Sequence, residues 1–394
     1  MSQVRTGLDR ILQDGLPAPG RGRVALLCNA TSVSSDWVPT ADAVSGIPGL
    51  RLKRIFSPQH GFASEKQDNM IASADGVHPH LGVPILSLYG EKREPAPADL
   101  EGLDLVLIDL PDVGCRVYTF LVTASHVIHV AAGLGLPVVI LDRPNPIGGD
   151  LDGPVLEEGF ESFVGLTDVP LRHGLTAGEF CLYAARKRGD VDTVSVIAAE
   201  GWRRDQYADE IGLPWTMPSP NLPTLDTAIV YPGQVIWEGT RLSEGRGTTR
   251  PFEIFGAPFL DPARVQSILE GRAGHLSAGL RLREVAFEPT FHKHAGHLCR
   301  GFFMHVLDRR TYRPVAAAVS LLWAIHEAHP DEPLWRPPPY EYEAIRAPID
   351  LLFGTDRVRR AIEEGAEPNE IISSWDADLA AYRERRVPAL VYPE

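Results

Sequence analysis

The segment SPQHGFASEKQDNM, residues 57–70, gathers His60, Glu65, Lys66 and Asp68 behind a strand-like run from Leu50 to Phe56, with Gly61 at its turn. A carboxyl group held beside a leaving oxygen can act as a general acid, which glycosidic cleavage requires, and Glu65 is a candidate for that role. In the competing reading the loop is solvated and Glu65 is ordinary surface. A perturbed carboxylate is a property of surroundings that the residue order alone does not display.

Further polar segments follow apolar runs. In DLPDVGCRVYTF, residues 109–120, Asp109 falls at a strand tip, Asp112 in a turn, and Arg116 and Tyr118 before a helix. Two aspartates can hold Mg²⁺, although that ion usually also draws on substrate phosphates. Asp112 can equally cap the helix. Arg116 with Tyr118 suits a carboxylate and a sugar face better than a metal. LDRPNPIGG, residues 141–149, is stiffened by proline, and its Asp142 and Arg143 either brace the loop or touch a ligand. No GxGxxG follows a strand, so neither NAD nor FAD is expected.

In PLRHGLTAGEF, residues 170–180, Thr176 and Glu179 have the spacing of a capping box, which gives Glu179 a structural task. His173 before them either binds ligand or is structural. MPSPNLPT and WEGTRLSEGRGTTRPFE bring Asn221, Glu238, Glu244, Arg246, Arg250 and Glu253. So many charges on a glycine-rich loop are costly unless they pair or meet a ligand. The fork of an arginine matches a carboxylate, and a salt-bridged hinge between domains would serve as well.

Short continuous apolar runs must position these segments: Val24 to Cys28, Leu103 to Leu110 and Leu136 to Leu141, each read as a parallel strand buried on both faces. A helical pattern from Tyr118 to Leu134 joins the last two into a βαβ unit, and Thr176 to Arg188 with Thr193 to Ala198 extends it. The first half is thus Rossmann-like, and the polar segments after three of its strands converge on one sheet edge, where open parallel sheets bind ligands. The stretch PSPNLPTLDTAIVYPG reads as irregular. Beyond it a smaller α+β region is expected, with helices from Pro262 to about Glu270, Ala316 to Ala328 and Asp356 to Glu364, and strands from Leu280 to Phe287 and Gly301 to Val306. The boundary is placed near Tyr231 to Gly233, giving domains 1–231 and 232–394, the second closing the cleft.

At 394 residues the chain can bury cores without disulfide staples, and 44% apolar against 23% charged residues is an ordinary globular balance. A formal charge of −14 argues against nucleic acid or anionic lipid as partner. Cys28, Cys115, Cys181 and Cys299 are scattered in apolar surroundings, as expected of buried thiols. The N-terminus, MSQVRTGLDRILQDG, reads as an amphipathic helix rather than a signal sequence, and no run has membrane-spanning length. On these features the chain is expected to be cytoplasmic.

Taken together, SPQHGF…EKQDNM, SLYGE, LPDVGCRVYTF, LDRPNPIGG, SFVG, PLRHGLTAGE, PSPNLPT and EGTRLSEGRGTTRPFE, in this order from about Thr6 to the end, resemble the exo-β-N-acetylmuramidase family NamZ (DUF1343). The resemblance implies a cofactor-free glycosidase that removes N-acetylmuramic acid from non-reducing ends of peptidoglycan fragments, with its site between two domains. It puts Glu65 on the family's AGE glutamate, with Ser64 where the family has glycine. The family's DIQDVG reads DLPDVG, so Pro111 replaces a glutamine. Glu65 is then the expected proton donor, with Asp112, Tyr118 or Glu244 as the second catalytic group. His60, Arg116, His173, Asn221, Arg246 and Arg250 are expected to bind substrate, the arginines facing the lactyl carboxylate. No metal is expected. Two other readings are a non-catalytic sugar- or nucleotide-binding protein and a metal-dependent hydrolase built on Asp109 and Asp112.

Overall fold

The computed structural model describes residues 4–17, 22–68, 70–272 and 278–394. Seven strands form the main sheet: β1 (Gly22–Leu27), β2 (Leu50–Ser57), β3 (Gly76–Val77), β4 (Pro84–Ser87), β5 (Leu105–Ile108), β6 (Val138–Leu141) and, after a small antiparallel pair β7 (Asp152–Val155) and β8 (Pro170–Arg172), β9 (Val194–Ile197). Their order is β3-β4-β2-β1-β5-β6-β9, parallel throughout except for β3 on β4.

The apolar runs behave as strands covered on both faces. Ala25, Leu27, Val106, Ile108, Val138 and Ile140 point into one core with the helices Phe120–Gly133 and Ala177–Arg188. The residues between them, Val24, Leu26, Leu105, Leu107, Val139 and Leu141, point into another core with Leu8, Ile11 and Val44 of the helices Gly7–Asp14 and Thr40–Ser45. Strict alternation with both sides buried is what a continuous Val/Ile/Leu run does in a doubly covered sheet. The helix expected from the N-terminal segment is Gly7–Asp14, and residues 1–3 of that segment lie outside the described residues.

The second half carries a three-stranded antiparallel sheet, β10 (Ile254–Ala257), β12 (Cys299–Val306) and β11 (Leu280–Phe287), in that order. Against it lies the helix Pro314–Ala328, buried at every residue but His326 and Glu327. A helix apolar all round belongs inside a protein. The expectation of irregular chain around residue 231 is corrected here. Leu225–Gln234 is a helix with Thr224 as its N-cap, and Pro232 stands near its end, where the loss of one N–H is tolerated.

The halves interlock. Asp152 of β7 accepts from the backbone N–H groups of Val315 and Ala316 at 2.8 and 3.2 Å, capping the central helix of the second half. The chain end returns to the first half, where Glu179 accepts from the N–H of Val391 and Tyr392, and the Tyr392 hydroxyl donates to Asp142 at 2.7 Å. One apolar core runs through both halves, from Val106 and Phe120 to Trp237 and Trp323.

Candidate active site

Strand order reverses direction between β1 and β5, and the polar segments that follow these strands meet at the carboxyl edge of the sheet. Two hollows open there. One, of about 80 Å³, is lined by Asp112, Arg143, Trp215 and several prolines, including Pro111. The other, of about 30 Å³, is polar and drawn from five separated segments: Gln59 and His60, Tyr118 and Thr119, Ser219, Glu238 and Arg246, and Tyr340 and Glu341.

His60 enters the second cavity from a left-handed turn, φ +73°. Its Nδ1 lies 2.6 Å from the Lys66 carbonyl, so the ring proton sits there and Nε2 is left as an acceptor. Burial pushes the ring down to about 4, which keeps it neutral near pH 7. Tyr118 lines the same cavity and donates its hydroxyl proton to the Pro218 carbonyl at 2.7 Å. Burial pushes the Tyr118 phenol well above its ordinary range, so it stays protonated.

Arg246 lines the cavity, and Glu238 and Glu244 are its carboxylate partners. Arg246 reaches Glu238 at 2.9 Å and Glu244 at 3.2 Å, and donates to the Gln67 carbonyl at 3.1 Å. Glu244 also meets Lys293 at 2.9 Å and His292 at 3.0 Å. Burial alone would raise Glu244, but Lys293, His292 and Arg246 hold it well below the usual carboxylate range. It is a fixed anion, unsuited to proton donation. Asn221 donates its amide to the same Gln67 carbonyl.

Other residues singled out from the sequence stand elsewhere. Arg116 is sealed in the core, donating to the carbonyls of Pro154, Val169 and Leu352 at 2.8–3.0 Å. Asp112 accepts from the Gly114 N–H at 2.7 Å rather than capping the next helix, and its Oδ2 lies 3.3 Å from Nε2 of the buried His173. Asp109 is fully buried between Arg143 and Thr40. Among the described residues no group of three or more His, Cys, Asp or Glu side chains is placed to hold a metal. Arg250 lies at the periphery with Glu253 at 3.4 Å.

Glu65 belongs to the turn that carries His60, with 52% of its side chain exposed and Lys66 3.7 Å away. Its carboxylate leans over Gly61, where a Cβ would lie 2.9 Å from Oε2. Ser64 has φ +56°. The left-handed conformation that glycine favours is thus adopted here by a serine.

Five site residues escaped the sequence reasoning: Gln59, Tyr89, His292, Lys293 and Glu341. Glu341 accepts from the Tyr89 hydroxyl at 2.9 Å and from the Gln59 amide at 3.5 Å across 282 positions of chain. Burial, with Glu238 nearby, pushes its carboxyl up to about 7. For Gln59 and Tyr89 the available signal was their place just after strands, in SPQHGF and SLYGE; for His292, Lys293 and Glu341 it was only the clustering in FHKHAGH and PYEYE, since neither of those segments follows a parallel strand.

Comparison with known proteins covers nearly the whole chain. Residues 24–226 match the family model of the N-terminal part of the exo-β-N-acetylmuramidase NamZ, and residues 229–392 match that of its C-terminal part. The peptidoglycan β-N-acetylmuramidase NamZ of Bacillus subtilis (strain 168) is 35% identical over 99% of this chain and 92% of its own length. Two crystal structures of DUF1343 family proteins from Bacteroides fragilis superpose over the full length of both chains, with TM-scores of 0.86 and 0.78 at 25% and 27% identity.

Proposed function

Because the chain belongs to the NamZ family of exo-β-N-acetylmuramidases, we propose that it is a glycosidase of cell-wall turnover, releasing N-acetylmuramic acid from non-reducing ends of peptidoglycan fragments. The observation that carries the reading is the polar cavity in which segments of both halves meet, lined by the buried His60, Tyr118, Glu238, Arg246 and Glu341. Sugar-sized pockets run to roughly 300 Å³ and above. A terminal sugar therefore needs the segments around the cavity to move apart as it enters.

In this reading Glu65 gives its proton to the glycosidic oxygen as the bond to the anomeric carbon breaks, and the aglycone leaves as an alcohol. Water then bonds to that carbon, and the proton it sheds restores the acid. Of the three candidates for the second group, Tyr118 lines the cavity, whereas Glu244 is fixed by cations and Asp112 faces the neighbouring hollow. His60 and Asn221 contact the sugar. The chain works as domains 1–231 and 232–394, the second closing the cleft.

No helix of the described residues is long and apolar enough to cross a membrane. Four free, buried thiols favour a reducing compartment, and we assign the protein to the cytoplasm. The test is aglycone release from a chromogenic β-N-acetylmuraminide by the wild type and by Glu65→Gln. Turnover should fall about 10²- to 10⁴-fold in the variant. Near wild-type turnover removes Glu65 from the role.

A further inference from the structure

We propose that Glu341 sets the specificity of this cavity by donating a hydrogen bond to the carboxylate of an anionic terminal sugar, so that the sugar and one proton are held together. The inference rests on the muramidase reading and names the group that reads the lactyl carboxylate.

The charges that could otherwise do this are committed. Arg246 is balanced by Glu238 and Glu244, and Lys293 is buried against Glu244 and the carbonyls of Trp237 and Leu242. His60 is neutral. Among the described residues lining the cavity, none carries an unmatched positive charge to meet an anion. What remains is a carboxyl group only 3% exposed, set on the cavity wall by a strained backbone. Glu341 and Tyr342 both occupy the left-handed region, φ +43° and +69°, which side chains rarely adopt. Such strain persists where surrounding contacts over-determine it, often at binding sites.

The neighbours of Glu341 determine its protonation. The Tyr89 hydroxyl donates to Oε2 at 2.9 Å, the Gln59 amide approaches Oε1 at 3.5 Å, and Gln59 is itself oriented by the Thr119 hydroxyl. Glu238, Arg246, Tyr340 and Tyr342 also act on or flank it, and the Arg93 guanidinium lies over the Tyr342 ring at 4.4 Å. Burial and Glu238 raise the acid, while Tyr89, Gln59 and Arg246 pull it back, leaving it near 7. Protonated, Glu341 offers an O–H to a carboxylate. Ionised, it adds a negative charge to a wall whose arginine is already matched, and an anionic sugar is repelled. Binding the anion is therefore linked to keeping the proton.

The experiment measures calorimetric affinities of the full chain for free N-acetylmuramic acid and N-acetylglucosamine at pH 6 and 8.5, in buffers of different ionisation heat, with muraminide hydrolysis assayed in parallel. Affinity for muramic acid should fall about 30-fold at the higher pH and be accompanied by proton uptake, as one group titrating near 7 dictates. N-acetylglucosamine, which lacks the lactyl group, should not show that loss. Glu341→Gln should bind muramic acid with little pH dependence. Equal binding of muramic acid at both pH values, an equal loss for both sugars, or an undiminished loss in Glu341→Gln overturns the inference. Should that variant not fold, the proton uptake of the wild type decides. Turnover of muraminides with pH-independent binding sinks this inference alone, and pH-linked binding without turnover sinks the muramidase reading alone.

Discussion

Arg246 on the cavity wall meets Glu244 at 3.2 Å in the interior, and neither is free for a substrate, because each is also held by another group of opposite charge. A carboxylate so surrounded has an architectural task. Glu244→Ala strands Lys293 without its carboxylate in the interior and removes one partner of Arg246. Loss of one member of a buried charge cluster costs about 3–5 kcal/mol. Chemical denaturation should show that loss, and a variant as stable as the wild type would contradict the arrangement.

Arg116 makes a similar case from the other side. Its guanidinium donates to three buried carbonyls, and Arg116→Leu removes all three hydrogen bonds, leaving the Val169 carbonyl only its bond from the Leu156 N–H at 3.2 Å. Each unsatisfied buried polar group costs about 1–3 kcal/mol. The expected signature is a drop in melting temperature, with KM little changed in whatever fraction remains folded. A raised KM at normal stability would instead place Arg116 at the substrate.

Ser64 tests the catalytic loop without touching its carboxyl. A non-glycine residue in the left-handed region pays roughly 1–2 kcal/mol relative to its relaxed state, and glycine does not. Ser64→Gly should therefore stabilise the protein by about 1 kcal/mol and retain turnover. Gly61→Ala does the reverse, since its Cβ would press on the Glu65 carboxylate at φ +82°. Lowered kcat in Gly61→Ala, measured on a muraminide, is the expected result.

These loops show where sequence reasoning reached and where it stopped. The strands were legible because Leu105–Ile108 and Val138–Leu141 are apolar at every position, which only a doubly covered sheet explains. Thr176 and Glu179 were legible because a capping box is local, and the structure has it as spaced. The role of Arg116 was not, since its three acceptors come from Pro154, Val169 and Leu352, none of them near in sequence. Glu341 was missed for the same reason: what distinguishes it from other glutamates is burial against Tyr89 and Gln59. The helix Leu225–Gln234 was hidden by its flanking prolines, although Thr224 was a visible N-cap.

Asp142 gives the fold a pH dependence. Burial raises its carboxyl to about 6 against the hydrogen bonds from Tyr392, Gly178 and Thr176. A carboxyl raised in the folded state stabilises most when protonated, so its contribution is full below the unfolded value near 4 and is lost as pH rises through 6. Melting temperature should rise as pH is lowered from 8 to about 5. Asp142→Asn, which mimics the neutral acid, should flatten that part of the profile. An unchanged slope would show that Asp142 does not titrate there.

As a muramidase, the chain cleaves the bond between a terminal N-acetylmuramic acid and its aglycone. Steady-state release from a chromogenic β-N-acetylmuraminide, compared with the matching β-N-acetylglucosaminide, measures it directly. The expected result is turnover of the muraminide, clear preference over the glucosaminide, and loss of turnover in Glu65→Gln. No release from the muraminide by folded protein, or equal turnover of the two sugars, would contradict it.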